Sequence, residues 1–413
     1  MTHKIFHIDV NSAYLSWEAA YQLQHGATLD LRTIPSIVGG DIEKRHGIVL
    51  AKSIPAKKYG IQTGESVASA KLKCPELISI PPHYERYVNA SNAMVELIQE
   101  YSPLVQRYSI DELFMDYFDS TRDPVDAAEE IKDRIRNELG FTVNVGIGDN
   151  KLLAKMASDF QKPDRVHTLY REEIPEKMWP LPIRDLFMVG RRTEKKLLSR
   201  GITTIGELAQ SSREYLLSWL KKPGLTIWEF ANGIESTQVR IDPMPVKSVG
   251  NSTTLPFDVR DRGEADMVLL AISEMVGMRL RSISMRSAVI HVGFKDSEFN
   301  YYGMERKLYT PTNSTKEIYR HAALLLTRIW NNQPIRAMSV RAGRLSDDTA
   351  IQLSLYDHFS EKDENLDETI DHIRGKYGLD SMQKSVFLHS GISPVIGGVI
   401  REKEYPLMSS LLT

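Results

Sequence analysis

The spacing of apolar positions changes from segment to segment along this chain, and each change marks an element. KIFHIDV (4–10) is a short apolar run ending in a carboxylate, the pattern of a buried strand. NSAYLSWEAAYQLQHG (11–26) spaces its apolar residues as a helix does, with Asn11 or Ser12 as N-cap and Gly26 as stop. Residues 35–80 predict short strands and a helix, punctuated by Gly39, Gly40, Gly47, Pro55, Gly60 and Gly64. VNASNAMVELIQEYS (88–102) predicts a second helix, and YSIDELFMDY (108–117) a strand or hairpin after it. DPVDAAEEIKDRIRNELG (123–140) is a third helix closed by Gly140. FTVNVGIG (141–148) alternates as a strand, and NKLLAKMASDFQKP (150–163) opens a helix that ends before Pro163. Strands and helices in this order predict an α/β sheet layer with helices packed on it. If the first strand neighbours the 108–117 hairpin, Asp9 approaches Asp111 and Glu112.

Past residue 170 the strand pattern stops. LPIRDLFMVGRRTEKKLLSRGITTIGELAQ (181–210) reads as short helices joined by Gly-containing turns, and DPMPVKSVG (242–250) as a linker. A mixed pattern returns from 253: helix 263–283, strands near 286–294 and 300–309, helix 315–331 and strand 335–343. Beyond 346 one amphipathic stretch, LDETIDHIRGKYG, stands in an acidic tail. No internal repeat or low-complexity tract interrupts the chain.

Composition narrows the class. At roughly 150 residues per domain, 413 residues predict about three domains. Apolar content of 42% and charged content of 26% are those of an ordinary globular chain. No apolar run approaches the roughly 20 residues that span a bilayer, and Asp9 comes too early for a secretory signal, so no membrane role is expected. Cys74 is the single cysteine, which excludes an intramolecular disulfide and a cysteine-cluster zinc site and suits the cytoplasm. The net charge of −2 hides a division. Residues 246–345 hold 15 Lys and Arg against 9 Asp and Glu, whereas 346–413 hold 6 against 12. A basic module before an acidic tail fits a nucleic-acid contact confined to one region; an uneven solvated surface is the plainer alternative.

Asp111 and Glu112 sit side by side among residues that want burial. With Asp9 they would repel one another unless a cation stood between them. Hard divalent ions take oxygen ligands, and magnesium binds through a few carboxylates plus substrate phosphates. In a regular strand adjacent side chains point to opposite faces, so both can serve one site only where a hairpin tip or bulge redirects them. A solvated turn is the alternative. Lys52, Lys57 and Lys58 surround a short helix after a Gly turn and suit an anion. Lys151, Lys155 and Lys162 read as a basic helix face. LFMVGRRTEKKLLSRG (186–201) resembles a helix–hairpin–helix, whose Gly-centred turn offers backbone N–H groups to a phosphate.

Six stretches in order, HIDVNSAYLSWEA, GIVLAKSIPAKKYGI, YSIDELFMD, VGIGDNKLLAKMASDFQKP, VGRRT and KSVGNSTTLP, resemble Y-family translesion DNA polymerases of the DNA polymerase IV and UmuC-like kind, over residues 3–345. The resemblance implies a multidomain α/β and α+β right hand. Its palm would be 1–11 and 81–170, its fingers 12–80, its all-α thumb 171–238, its linker 239–247, its little finger 248–346 and its tail 347–413. It implies that Asp9, Asp111, Glu112 and the Val10 carbonyl hold two magnesium ions for attack of a primer 3′-hydroxyl on a dNTP. Ser12 and Ala13 would approach the triphosphate through their backbone. Lys57 and Lys162 would contact it with their side chains, and Tyr14 would be the steric gate against a 2′-hydroxyl. Gly190, Ser248, Gly250, Arg336 and Arg341 would lie along primer–template DNA, and Asp116 is read as structural. QLSLY, through Gln352, Leu353, Leu355 and Tyr356, resembles a sliding-clamp peptide. With every region to 345 assigned, no segment is left for a proofreading exonuclease, and a monomer is expected. Asn11, Ala51, Ile54, Lys57 and Met188 depart from the usual pattern of the family. The rival readings are a catalytically inactive DNA- and clamp-binding accessory of the same fold and, more remotely, a cyclase on a palm-like sheet.

Overall fold

The computed structural model describes residues 3–40, 47–241, 245–348, 361–388 and 390–392. They fall into two compact units, one from 3–40 and 48–241, the other from 245 onward.

In the first unit β1 (Lys4–Val10) turns into α1 (Leu15–Gln24). The helix begins later than its pattern predicts. Tyr14 is its N-cap and no side chain caps it. Asn11 instead turns inward, its Nδ2 donating to Asn144 Oδ1 at 3.1 Å and its Oδ1 accepting from the Asp164 N–H at 2.9 Å, while Ser12 takes φ +54°. Next come β2 (Ser36–Gly39), β3 (Val49–Lys52), α2 (Ile54–Lys58), α3 (Val67–Lys73) and β4 (Ile78–Ile80). The strands pair as β3–β2–β4 over a small core of Ile37, Val49, Ile61, Val67 and Leu77. Two helices form where one is predicted, because Ser53 and Ser66 each cap a separate start.

The long helix α4 (Tyr84–Gln99) precedes β5 (Val105–Arg107), β6 (Glu112–Tyr117), α5 (Pro124–Arg134), β7 (Val143–Gly148), α6 (Lys151–Ser158) and β8 (Val166–Leu169). Helical backbone continues past α5 to Leu139 and stops at Gly140, φ +81°, where a left-handed residue ends helices readily. The sheet runs β5–β6–β1–β7–β8, antiparallel except for the last pair. β1 therefore does lie beside β6, with Asp9 opposite Glu112. Every residue of β7 is buried, so its alternation marks two covered faces and not one wet one. Gly146 is what lets α6 lie close against this strand: a Cβ there would stand 2.0 Å from the Ala154 carbonyl oxygen. From residue 171 the unit is helical, with α7 (Arg191–Leu198), α8 (Ile205–Ala209), α9 (Arg213–Leu220) and α10 (Lys222–Ala231) around Leu186, Leu197, Leu208, Leu216 and Ile227.

In the second unit a strand stands where the pattern predicts a linker end and an unassigned stretch. This is β9 (Ser248–Val259), followed by α11 (Arg262–Ser282), β10 (Met285–Asp296), β11 (Tyr301–Thr312), α12 (Thr315–Ile329) and β12 (Ile335–Asp347). The antiparallel order is β11–β10–β12–β9, so β9 is an edge, where Pro256 is tolerated. Its apolar positions are sparse, which hides it from a periodicity reading. The two helices cover one sheet face over Leu269, Ile272, Ile290, Val292, Leu325 and Val340.

The acidic tail contributes α13 (Glu361–Tyr377), five residues longer at its start than the amphipathic stretch. Its acidic face points inward. Asp363 pairs with Lys316 at 2.8 Å, and Glu364 takes both Arg286 nitrogens at 2.5 and 2.9 Å. Asp371 takes Arg281 at 2.6 and 3.1 Å. Asp367 accepts from the Thr315 N–H at 2.8 Å and from Arg281 at 3.3 Å. In the reverse sense, Arg374 reaches Glu274 at 3.1 Å. The clamp-peptide residues Gln352, Leu353, Leu355 and Tyr356 lie outside the described residues. Among the described residues no helix is long and apolar enough to cross a membrane.

Candidate active site

Asp9 ends β1, and the Val10 N–H donates to the Asp111 carbonyl at 3.0 Å, tying the strand end to the turn before β6. That turn solves the problem of the adjacent carboxylates. The strand starts only at Glu112, whose carbonyl accepts from both Tyr108 and Ser109 N–H groups at 3.0 Å, leaving Asp111 at the turn tip. Asp111 is thus freed from strand alternation and accepts from the Ser109 hydroxyl. Burial raises the carboxyl pKa of Asp9 in spite of Lys162 beside it, and burial likewise raises that of Asp111. Negative charge is unwelcome at both positions without a cation nearby.

Glu112 behaves oppositely. Burial alone would raise it, but His7 and Lys155 outweigh burial and hold it down at about 2. His7 is 1% exposed and is pushed below the usual imidazole range by burial first and Lys155 second. Its Nε2 lies 3.0 Å from a Glu112 carboxylate oxygen and its Nδ1 2.8 Å from the Ser158 hydroxyl, which itself donates to the Lys155 carbonyl at 2.8 Å. Lys155 Nζ makes an ion pair with Glu112, and Lys162 Nζ with Asp9. The carboxylates thus face ammonium groups: among the described residues no three His, Cys, Asp or Glu side chains converge on one point. An all-oxygen donor set already facing cations fits hard divalent ions, which would take over the charge that the lysines now neutralise.

Lys155 and His7 are the residues that the sequence reading passes over. Lys151 and Lys155 resemble a solvated face, yet both turn inward. Lys151 is fully buried, with Gln106 Oε1 at 3.4 Å and the Gln238 carbonyl at 3.0 Å. The four-residue spacing of these lysines on one helix face, and the two-residue spacing of His7 from Asp9 on one strand face, are the signals that could have found them.

Tyr14 stacks flat on Tyr87, centroids 4.4 Å apart at 6°. Tyr87 is buried and donates to Glu18 Oε1 at 2.8 Å. That carboxylate, with no exposure at all, also takes Arg86 at 3.1 Å and lies 2.8 Å from His83 Nδ1. The Tyr14 ring therefore rests on a fixed support. Lys57 is exposed on α2, and Lys162 bridges Asp9 and Asp159. Gly190 caps α7 with ordinary dihedrals, and the left-handed residue of that turn is Met188, φ +71°. Ser248 and Gly250 lie on β9, and Arg336 and Arg341 on β12. The Arg336 guanidinium sits 4.8 Å from the Phe299 ring. Asp116 pairs with His3 at 3.0 Å, away from the carboxylates just described.

Comparison with known proteins agrees with this arrangement. Models of the impB/mucB/samB family match residues 8–159, its helix–hairpin–helix motif residues 171–202, and its C-terminal domain residues 246–355. DNA polymerase IV of Clostridium acetobutylicum is 44% identical over 391 residues, covering 94% of this chain and 99% of that one. DNA polymerase IV 1 of Bacillus subtilis is 35% identical over 393 residues, covering 93% of each. Among solved structures, a Y-family DNA polymerase chimera of Dbh and Dpo4 matches with a TM-score of 0.70 at 20% identity, over 83% of this chain and 98% of that one, a likeness of fold. The chain belongs to the impB/mucB/samB family, the Y-family DNA polymerases of the DNA polymerase IV kind.

Proposed function

We infer that the chain copies a DNA template at low fidelity, past damaged positions, by joining deoxynucleotides to a primer 3′-hydroxyl with release of pyrophosphate. One observation carries the reading: Asp9 and Glu112 face each other across β1 and β6 while the Val10 N–H binds Asp111 at the turn tip. Asp9, Asp111, Glu112 and the Val10 carbonyl would hold two magnesium ions. Such a pair supplies positive charge that favours the attacking 3′-oxygen and steadies the departing one. His7 fixes Glu112, and Lys155 balances its charge until a divalent ion does so. Lys57 and Lys162 take phosphate charge, with the backbone of Ser12 and Ala13 beside the same phosphates. Tyr14, backed by Tyr87, closes the space that a 2′-hydroxyl would need.

Gly190, Ser248, Gly250, Arg336 and Arg341 contact the DNA backbone, so affinity falls steeply with salt. The peptide 352–356 engages a sliding clamp, and the enzyme works as a cytoplasmic monomer. The test is primer extension with magnesium: Asp111→Ala with Glu112→Ala abolishes product, whereas DNA binding without incorporation by the wild type would favour the accessory reading. Tyr14→Ala raises ribonucleotide incorporation at least about tenfold, the scale of a lost steric contact. Leu353→Ala with Leu355→Ala lowers clamp-dependent processivity and spares distributive synthesis.

A further inference from the structure

Beside the carboxylates stand two asparagines, neutral and nearly sealed from water. Asn144 lies on β7 opposite Asp9 of β1 and is wholly buried, and Asn11, two residues past Asp9, is 7% exposed. Their amides settle each other's orientation. The Asp164 N–H donates to Asn11 Oδ1 at 2.9 Å, so Asn11 Nδ2 is the atom that faces Asn144 Oδ1, at 3.1 Å. Asn144 Nδ2 donates in turn to the carbonyls of Ser158 at 3.0 Å and Gln161 at 2.5 Å. An aspartate at either position breaks this chain of bonds, because a carboxylate has no N–H to give.

The bonds end on the segment that follows α6. Ser158 closes the helix, and Gln161 and Asp164 stand on either side of Lys162 and Pro163. Asp164 takes φ +59°, a left-handed conformation that few side chains adopt. Asn11 holds its N–H there, and Arg136 holds its carboxylate at 2.7 Å. Lys162 is thus anchored one residue before it and two after it. Its ammonium pairs with Asp9 and, at 2.8 Å, with Asp159.

We propose that Asn11 and Asn144 are positioning residues for the incoming nucleotide: they fix the backbone that carries Lys162 and so set where its ammonium meets the triphosphate. The proposal rests on the polymerase reading above, in which Lys162 takes phosphate charge, and adds the residues that aim it. A lysine is a point charge on a flexible four-carbon stem, so its aim comes from the placement of its backbone and not from its own shape. Buried amides suit this task better than carboxylates. A carboxylate at 11, two residues from Asp9, would compete with phosphate for the same ammonium, whereas an amide anchors the segment without drawing the charge away. The geometry needed for phosphate contact is then supported by side chains that never touch the nucleotide.

The test uses the full chain with magnesium. It measures dNTP affinity on a dideoxy-terminated primer, where no bond forms, and kcat on an extendable one. Lys162→Ala raises the dNTP Kd about tenfold, the scale of one charge-assisted hydrogen bond. Asn144→Ala and the isosteric Asn11→Asp each raise it about fivefold, with DNA affinity and kcat at saturating dNTP within about twofold of the wild type. In the Lys162→Ala background Asn144→Ala adds less than about twofold, because residues that act through one group are not additive. A mere loss of folding stability has no such dependence on Lys162. Wild-type dNTP affinity in either asparagine variant, or the same loss persisting without the Lys162 amine, would overturn the proposal and leave the phosphate role of Lys162 standing. Unchanged affinity in Lys162→Ala would refute that role, and the proposal with it.

Discussion

Two regions of this molecule pair cations with carboxylates, and they do so with different residues. At the candidate active site Lys155 faces Glu112 and Lys162 faces Asp9, single ammonium groups on flexible stems. In the second unit the cations are chiefly arginines: Arg286 forks onto Glu364, Arg281 onto Asp371, and Arg374 is buried against Glu274. Lysine is a point charge that another cation can replace, whereas the planar guanidinium commits two parallel hydrogen bonds to one geometry. The first set is built for exchange and the second for permanence. Burial separates the two sets only in part: Arg281, Arg286 and Arg374 side chains are each under a tenth exposed, whereas Lys162 is 39% exposed and Lys155 12%.

Double replacement of Asp111 and Glu112 by alanine separates the two sets most sharply. Primer extension falls by more than about a thousandfold, on the scale of removing charge stabilisation from a transition state, while chemical denaturation shows a loss of only about 1 kcal/mol, since relief of the buried Asp111 charge offsets part of what Lys155 and His7 lose with Glu112. Equal losses of both would mean that these carboxylates are structural. Arg286→Ala does the reverse: the chain loses about 3 kcal/mol in urea denaturation because Glu364 and Asp348 are left unpaired, and Arg286→Lys recovers less than half. Full recovery by lysine would erase the distinction drawn above.

Lys155→Ala is milder. In chelator it destabilises by about 1 kcal/mol, and magnesium restores most of that loss, because a bound cation stabilises the folded state by mass action. A magnesium-independent loss would make Lys155 a permanent partner like Arg286. The smallest effect is in pH dependence. Glu112, held at about 2, contributes stability that is complete above its unfolded value and is lost as pH falls toward 2. Asp9 and Asp111, raised by burial, favour the fold below their unfolded values and lose that contribution as pH rises through their raised ones. Metal-free protein should therefore lose stability over that rise, and magnesium should flatten the slope.

Much of this was legible in the residues, and the failures share a cause. The strand 4–10, the helix closed by Gly140 and the elements from 262 to 347 follow from period and stop signals, because those are local. The β1–β6 adjacency follows from element order together with the family resemblance. What escapes is whatever a distant partner decides. β9 is held by pairing with β12, more than eighty residues later, and its own apolar spacing is weak. The inward turn of Lys151 and Lys155 depends on Gln106 and Glu112. The acidic face of α13 turns inward because arginines near position 280 wait for it, and a charge count over the two segments registers the balance without saying where it closes.

The docking of α13 gives the second unit a front and a back. Arg281, Arg286 and Lys316 spend their charge on the protein's own carboxylates, so they are poor partners for the phosphates of a polyanion and would displace few of its condensed counterions. Arg341 and Lys295 belong to the sheet face that the two helices leave uncovered. A chain that neutralises its own rear surface in this way leaves that surface little attraction for any polyanion, and the contrast between the two sides of the unit is fixed by folding rather than by a partner.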